Sequence, residues 1–337
     1  MLAADDERGA STRYRVLAYR PALRAAGFEP TVRFPPSRAA RGLPRLVLRS
    51  ADLMHDVVDG SDARLLFIHR KLYPPPLAPR LRRAGRPLVF DMDDAIDLPP
   101  PRKTLSERAR RRYLRNFEAT VQVADLVLCG NRELVSRLPH GRYELLPTPI
   151  DTARFAPDPA APVAGRRLGW VGHSDNLGYL ESLAGALREL AGRHPDLGLV
   201  VVADRPPDLP GVRVEFRRWS LDSEVDCFRD IGIGLMPLED SEWARSKCAF
   251  KAIQYMALGI PAVVSPVGMN AEVVRDGRNG FLAQSPEDWV RALDRLLSDR
   301  ELAARIGGAG RETVVRDYSV DVLSKKLIST LESLAPR

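Results

Sequence analysis

KCAFKAIQYMALGIPAVVSPVG, residues 247–268, is the stretch on which the reading of this chain turns. A helix-forming run closes at Gly259, Pro261 bars its continuation, and the apolar run PAVVSP follows at once. That is the grammar of a helix turning directly into a buried strand. Lys247 and Lys251 stand four apart at the helix start, so in a helix they share one face beside the partial positive charge of its N-terminus. A diphosphate suits that combination, and Gln254, one turn further on, can hydrogen-bond a ribose or sugar hydroxyl.

Outward from this stretch, short apolar runs alternate with amphipathic ones along the whole chain. FEPTVRF, RLLFIH, PLVFDM, DLVLCG and YELLPT come before residue 150, and RLGWVG, LGLVVVA, VRVEFRR, IGLMPL, PAVVSP and GFLA come after it. Helical patterns lie between them at 104–123, 177–193, 248–258 and 286–298. This βα alternation predicts an α/β fold of parallel sheets covered by helices on both faces. A chain of 337 residues suits two domains of about 150 residues each, and two domains imply a cleft. The Pro- and Ala-rich segment PTPIDTARFAPDPAAPVAG, 147–165, has linker composition. The predicted organisation is a first domain over 1–150, a linker over 151–165, a second domain over 166–320, and a C-terminal helix over 321–337 packing back on the first domain. The first strand has only MLAA to draw on, fewer than the ordinary 5 residues or so.

Composition narrows the function classes. Hydrophobic residues make up 45% and charged residues 28%, which is globular and not disordered. The net charge of +7 comes from 51 basic and 44 acidic residues, scattered through both halves. Only ERARRRYLR, 107–115, is a basic cluster, on a helical run that can meet phosphates, an anionic membrane surface or solvent. The single aromatic of the basic run, Tyr113, does not make the interleaved stacking platforms that nucleic-acid binding needs, so that reading ranks last. Three isolated cysteines give neither a disulfide framework nor zinc spacing, and no apolar window is long enough for a membrane span. The expectation is a cytoplasmic protein, with the inner face of a membrane as a candidate peripheral contact.

Several side chains are candidates for chemistry. RGAST, 8–12, follows the first strand; Gly9 opens the loop, Ser11 or Thr12 is its candidate N-cap, and Arg13 and Arg15 are placed to reach a phosphate or an acceptor. FDMDDAID, 90–97, ends an apolar strand, where residues emerge into the ligand crevice of a parallel sheet. Asp93 and Asp94 can take a proton from an attacking hydroxyl, hold a metal or cap a helix, while Asp91 reads as structural. His69 ends the strand RLLFIH and can polarise or bind an acceptor group. Beyond PAVVSP, Gly268 and Asn270 make a turn that presents backbone amides and Glu272. Cys248 reads as a packing residue.

These residues resemble a GT-B glycosyltransferase of the large, mostly retaining family 4 type. KAIQYMALGIPAVVSPVGMNAEVVRDGRNGFL carries the similarity most strongly, and RGASTRYR, FDMDDAI, PTPID and LGWVGH extend it along the chain. The resemblance implies two Rossmann-like domains, a nucleoside diphosphate sugar bound by the second (Lys247, Lys251, Gln254, Gly268, Asn270, Glu272 and His173) and a hydroxyl acceptor served by the first (Asp93, Asp94 and His69). It implies a metal-independent, retaining hexosyl transfer with no tightly bound cofactor. The family's two glutamates, eight apart, fall on Ser246 and Gln254, and its Arg and Lys after the first donor-domain strand are missing from GHSDNLGYL, 172–180. A catalytically silent GT-B protein that binds a nucleotide sugar or a partner enzyme is therefore the alternative.

Overall fold

Among the described residues of the first unit, Met1–Pro149 with Val320–Arg337, five strands lie side by side, all parallel. They are β1 (Leu2–Ala3), β2 (Leu66–His69), β3 (Leu88–Met92), β4 (Leu126–Cys129) and β5 (Tyr143–Leu145), in that order. The computed structural model describes residues 1–35, 52–56, 63–82, 86–98, 106–139, 141–158 and 167–334; residues 159–165 of the expected linker and the prolines after Leu98 lie outside these. β2, β3 and β4 are buried on both faces, which is why their sequences are continuous apolar runs. The run FEPTVRF does not form a strand: only Arg33 pairs, with Leu2. Pro30 in its middle has no N–H to give to a ladder. The last helix, Val320–Leu334, sends Leu323, Leu327 and Leu331 into the same core as Val16, Tyr19, Phe67 and Val89.

In the second unit, Ile150–Ser319, six parallel strands run β11-β10-β9-β6-β7-β8. They are β6 (Arg167–Val171), β7 (Gly198–Ala203), β8 (Val214–Arg218), β9 (Ile233–Met236), β10 (Ala262–Val264) and β11 (Phe281–Leu282). The chain fills the sheet to one side of β6 and then to the other, so β6 and β9 are neighbours that diverge at their carboxyl ends. Open α/β sheets bind ligands at such a switch point. The helix Phe250–Ala257 is fixed there by Tyr255, fully buried, whose hydroxyl accepts from the Val171 amide at 3.0 Å. Gly234 makes the approach possible, because a Cβ on it would fall inside the Tyr255 ring.

The helix expected over 177–193 is two, Leu177–Glu181 and Ala184–Arg193. Ser182, at the break, donates its hydroxyl to the Tyr179 carbonyl at 2.8 Å, a local bond that competes with the helical ladder. The helix Pro286–Ser298 opens on a capping box between Ser285 and Asp288. Glu107–Val123 starts at Ser106, whose Oγ accepts from the Ala109 amide.

Candidate active site

His69 and Asp91 are register partners on neighbouring strands β2 and β3, which brings two residues 22 apart in sequence into contact at the carboxyl edge of the sheet. His69 Nδ1 lies 2.7 Å from Asp91 Oδ2, and both residues are 1% exposed or less. Arg15 closes the far side of Asp91, with Nε 3.2 Å from Oδ2 and Nη2 on Oδ1, and donates Nη1 to the Leu146 carbonyl. Its guanidinium is raised above the ordinary arginine range: burial lowers it, and the attraction of Asp91 more than offsets that.

On the near side, His69 Nε2 lies 2.8 Å from Ser11 Oγ, and Ser11 Oγ lies 2.5 Å from Asp93 Oδ2. Arg70 then spans Asp93 at 3.5 Å and Asp94 at 3.3 Å. Asp93 is pushed up by burial and pulled down further by Arg70, His69, Arg15 and the Ser11 hydrogen bond, which leaves it at about 2. Asp94 Oδ1 also accepts from the Ala95 amide at 3.1 Å, so this carboxylate shapes the turn that follows β3.

Two expectations need correction. Arg15 does not reach out to a phosphate: it is fully buried and committed to Asp91. Ser11 and Thr12 do not cap the helix; Gly9 holds the N-cap position, and Ser11 lies inside the short helix Ala10–Thr12. That helix widens into a π-helical turn, Arg13–Leu17, which aims Arg15 inward. Arg13 remains near the surface, its guanidinium over the Tyr14 ring at 5.0 Å and its Nε on the Arg8 carbonyl. Arg70 was not anticipated. Its signal was the presence of three aspartates on one strand end, which need a cation nearby, and its backbone is left-handed at φ 56.

In the second unit, Lys247 and Lys251 flank the start of the helix Phe250–Ala257. No side chain caps this helix, and its N-cap residue, Ala249, is left-handed at φ 51. Lys247 Nζ lies 5.7 Å from the centre of the Trp243 ring, and Lys251 Nζ donates to Gln254 Oε1 at 3.1 Å. Ser246 is fully buried and donates to the Glu242 carbonyl at 2.8 Å. Gly268, at φ +53, packs so tightly on the Arg245 backbone that a Cβ would overlap the Arg245 carbonyl. Asn270, 1% exposed, donates Nδ2 to the Ser265 carbonyl at 3.1 Å, while its Oδ1 is buried without a hydrogen-bond partner. Glu272 is exposed on the same turn. His173, exposed after β6, accepts from the Asp175 amide at 3.2 Å. Cys248 is buried, as are Cys129 and Cys227.

Among the described residues no group of three or more His, Cys, Asp or Glu is placed to hold a metal ion, and no helix is long and apolar enough to cross a membrane. The aspartates of β3 and the turn after it are engaged with Arg15 and Arg70.

Residues 165–299 match the family described as Glycosyl transferases group 1. The chain is 25% identical to a GDP-mannose-dependent alpha-(1-6)-phosphatidylinositol monomannoside mannosyltransferase of Mycobacterium tuberculosis, over 93% of this chain and 86% of that protein. It is 23% identical to spore coat protein SA of Bacillus subtilis over 69% of its own length, and spans 55% of that relative. Among solved structures, sucrose-phosphate synthase from Thermosynechococcus elongatus superposes with a TM-score of 0.73 at 17% identity, covering 99% of this chain and 98% of that one. HepE of Anabaena, solved with UDP and glucose, gives 0.69 at 15% identity, covering 98% and 99%. Residues 165–299 are thus a group 1 glycosyltransferase domain, within a chain whose two parallel-sheet units share the GT-B fold of these solved structures.

Proposed function

We propose that the second unit binds a nucleoside diphosphate sugar at the start of the helix Phe250–Ala257 and that the first unit serves a hydroxyl acceptor through Asp93. The observation that carries this is the uncapped helix start at the switch point, with Lys247 and Lys251 beside it. The backbone N–H groups of a helix start and two ammonium groups suit the charge of a leaving diphosphate without a tightly bound metal or cofactor. In this reading Gln254, Asn270, Glu272 and His173 supply the further polar contacts of the donor, and Gly268 keeps its turn close to the Arg245 backbone. Asp94 and His69 support Asp93 on the acceptor side. Transfer with retention is the outcome that the family 4 resemblance implies.

GDP-mannose and UDP-glucose are the first donors to test, because the mannosyltransferase relative uses GDP-mannose and HepE was solved with UDP and glucose. Thermal unfolding is measured with GDP, UDP, ADP, CMP and dTDP. A nucleotide at 100 times its Kd should add about 2.7 kcal/mol of stability, and no shift with any of them removes the donor site. Turnover with the matching sugar donor should survive EDTA; loss of activity restored by Mg²⁺ would replace the lysines with a metal.

A lipid-linked acceptor is consistent with the exposed arginines 108, 110, 111, 112 and 115 on the helix Glu107–Val123. Pelleting with anionic but not neutral vesicles would support peripheral contact at the inner membrane face. The silent alternative draws on Ser246 and Gln254, whose polar atoms are engaged by Glu242 and Lys251. Nucleotide binding without turnover of any donor would favour it.

A further inference from the structure

We propose that β8 is an interface between two copies of this chain, which join edge to edge and antiparallel about Phe216. β8 closes one side of the second unit's sheet, and an open sheet edge is ordinarily kept very short. The edges at β11 and β5 follow that rule, with two and three residues. β8 has five and carries no proline. It also leaves large apolar side chains on the surface: Phe216 is 37% exposed and Trp219, just beyond the strand, 36%.

The backbone of β8 decides which groups are free to pair. Leu199 donates its amide to the Arg213 carbonyl and Trp219 donates its amide to the Ala203 carbonyl, each at 3.0 Å, so the odd-numbered residues from 213 to 219 turn their backbone toward β7. Val214, Phe216 and Arg218 turn theirs outward. An antiparallel copy centred on Phe216 sets Phe216 against the partner's Phe216 and Val214 against the partner's Arg218. Every outward N–H then meets an outward carbonyl, and the contact is the same for both copies.

The side chains select that centre. Arg213, Glu215, Arg217 and Trp219 share one face of the sheet. About Phe216, each Glu215 stands opposite the partner's Arg217 and each Arg213 opposite the partner's Trp219. Centring on Glu215 would oppose two glutamates and set Arg213 against the partner's Arg217, and centring on Arg217 would oppose two arginines; like charges directly opposite are unfavourable. Within its own chain Glu215 already accepts from Arg217 and Arg167, both at 2.8 Å, so pairing extends an alternating row of charge across the junction. These charges fix register, and the aromatic rings supply the area that leaves water.

A place for the partner's Trp219 is already present. Arg167, Gly198, Arg213 and Glu215 line a groove of about 310 Å³. Gly198 leaves it open, since a Cβ there would come no nearer than 4.0 Å to Arg167 Cγ. Arg213 is the residue opposite the partner's Trp219, so the indole is delivered to the groove between the guanidinium groups of Arg167 and Arg213, where a cation–π contact holds it.

Sedimentation of the full chain from about 1 to 100 µM tests this, because an interface of modest size populates a dimer in that range. The wild type should be mainly dimer at the upper end; a monomer throughout overturns the proposal. Trp219→Ala should weaken association at least about 10-fold, as should Phe216→Pro, which removes an outward N–H that β7 does not use. An undiminished dimer in either variant overturns it. Glu215→Arg and Arg217→Glu each set like charges against each other in their own pairs, and each should be mainly monomer. An equimolar mixture of those two variants sets every arginine against a glutamate and should recover the dimer. A mixture that stays monomeric while the wild type pairs overturns the register. Should a charge variant not fold, Trp219→Ala carries the decision, since it alters only an exposed side chain.

Discussion

At the carboxyl ends of β2 and β3, charge is paired and enclosed: Arg15, Asp91, His69, Ser11, Asp93, Arg70 and Asp94 form one series in which each member touches the next. At the carboxyl ends of β6 and β9, the helix start between Lys247 and Lys251 has no side-chain cap, and positions 246 and 254 contribute a hydroxyl and an amide in place of carboxylates. Paired charges in a dry interior hold one another's geometry at the cost of desolvation. Half-exposed ammonium groups keep their field for an incoming anion. In the proposed reading the first unit serves the acceptor and the second receives the diphosphate, and the contrast predicts different responses to mutation.

Removing a member of the enclosed series should damage stability first. Arg15→Met strands Asp91 in the core and should cost about 3–5 kcal/mol in urea unfolding, whereas Lys251→Ala should change it by less than about 0.5 kcal/mol. Equal losses would erase the distinction between the two ends. The next effect belongs to binding. Lys247→Ala and Lys251→Ala should each weaken nucleoside diphosphate affinity by about 1.5–3 kcal/mol, Lys251 the more, as read by calorimetry. Unchanged affinity in both would return the lysines to the role of solvated surface.

Acid sharpens the comparison further. Asp93 sits at about 2 in the folded chain against its ordinary 3.8, so its contribution is complete above the ordinary value and is lost as pH falls toward 2. That contribution is on the order of 2 kcal/mol. Urea unfolding of Asp93→Asn between pH 4 and pH 2 should show a shallower decline than the wild type; parallel declines would mean that another group carries the dependence. The smallest effect falls on backbone strain in the second unit. Ala249 adopts a left-handed conformation that glycine reaches freely, so Ala249→Gly should gain less than about 1 kcal/mol and leave nucleotide affinity unaltered. A marked loss of stability would show that its methyl group packs usefully.

The parts of this molecule that were legible in the sequence are those whose cause is local. Continuous apolar runs such as LVFDM and GLVVVA form strands wherever they occur, and Gly259 before Pro261 ends a helix without help from the rest of the chain. FEPTVRF misled because its hydrophobic pattern outweighed the missing N–H of Pro30. Arg15 was illegible for a different reason. An arginine beside a glycine-containing loop reads as surface, and only Asp91, 76 residues away, makes its burial affordable. Ser11 is similar: its spacing suggested a cap, while its partners come from two strands on either side of a register pairing that sequence does not reveal. Arg70 shows where more was available, since crowded aspartates imply a cation even before any geometry is known.

The placement of Val320–Leu334 in the core of the first unit has a consequence for how the protein is made. The sheet of that unit is complete in sequence by Leu145, but the leucines that cover one of its faces are synthesised only after the whole second unit. Residues 150–319 are continuous and can fold as soon as they leave the ribosome. The first unit, although translated first, must wait with an apolar face exposed while roughly half of the chain is added. Its order of completion is therefore the reverse of its order of synthesis, and a chaperone bound early in translation would be released late.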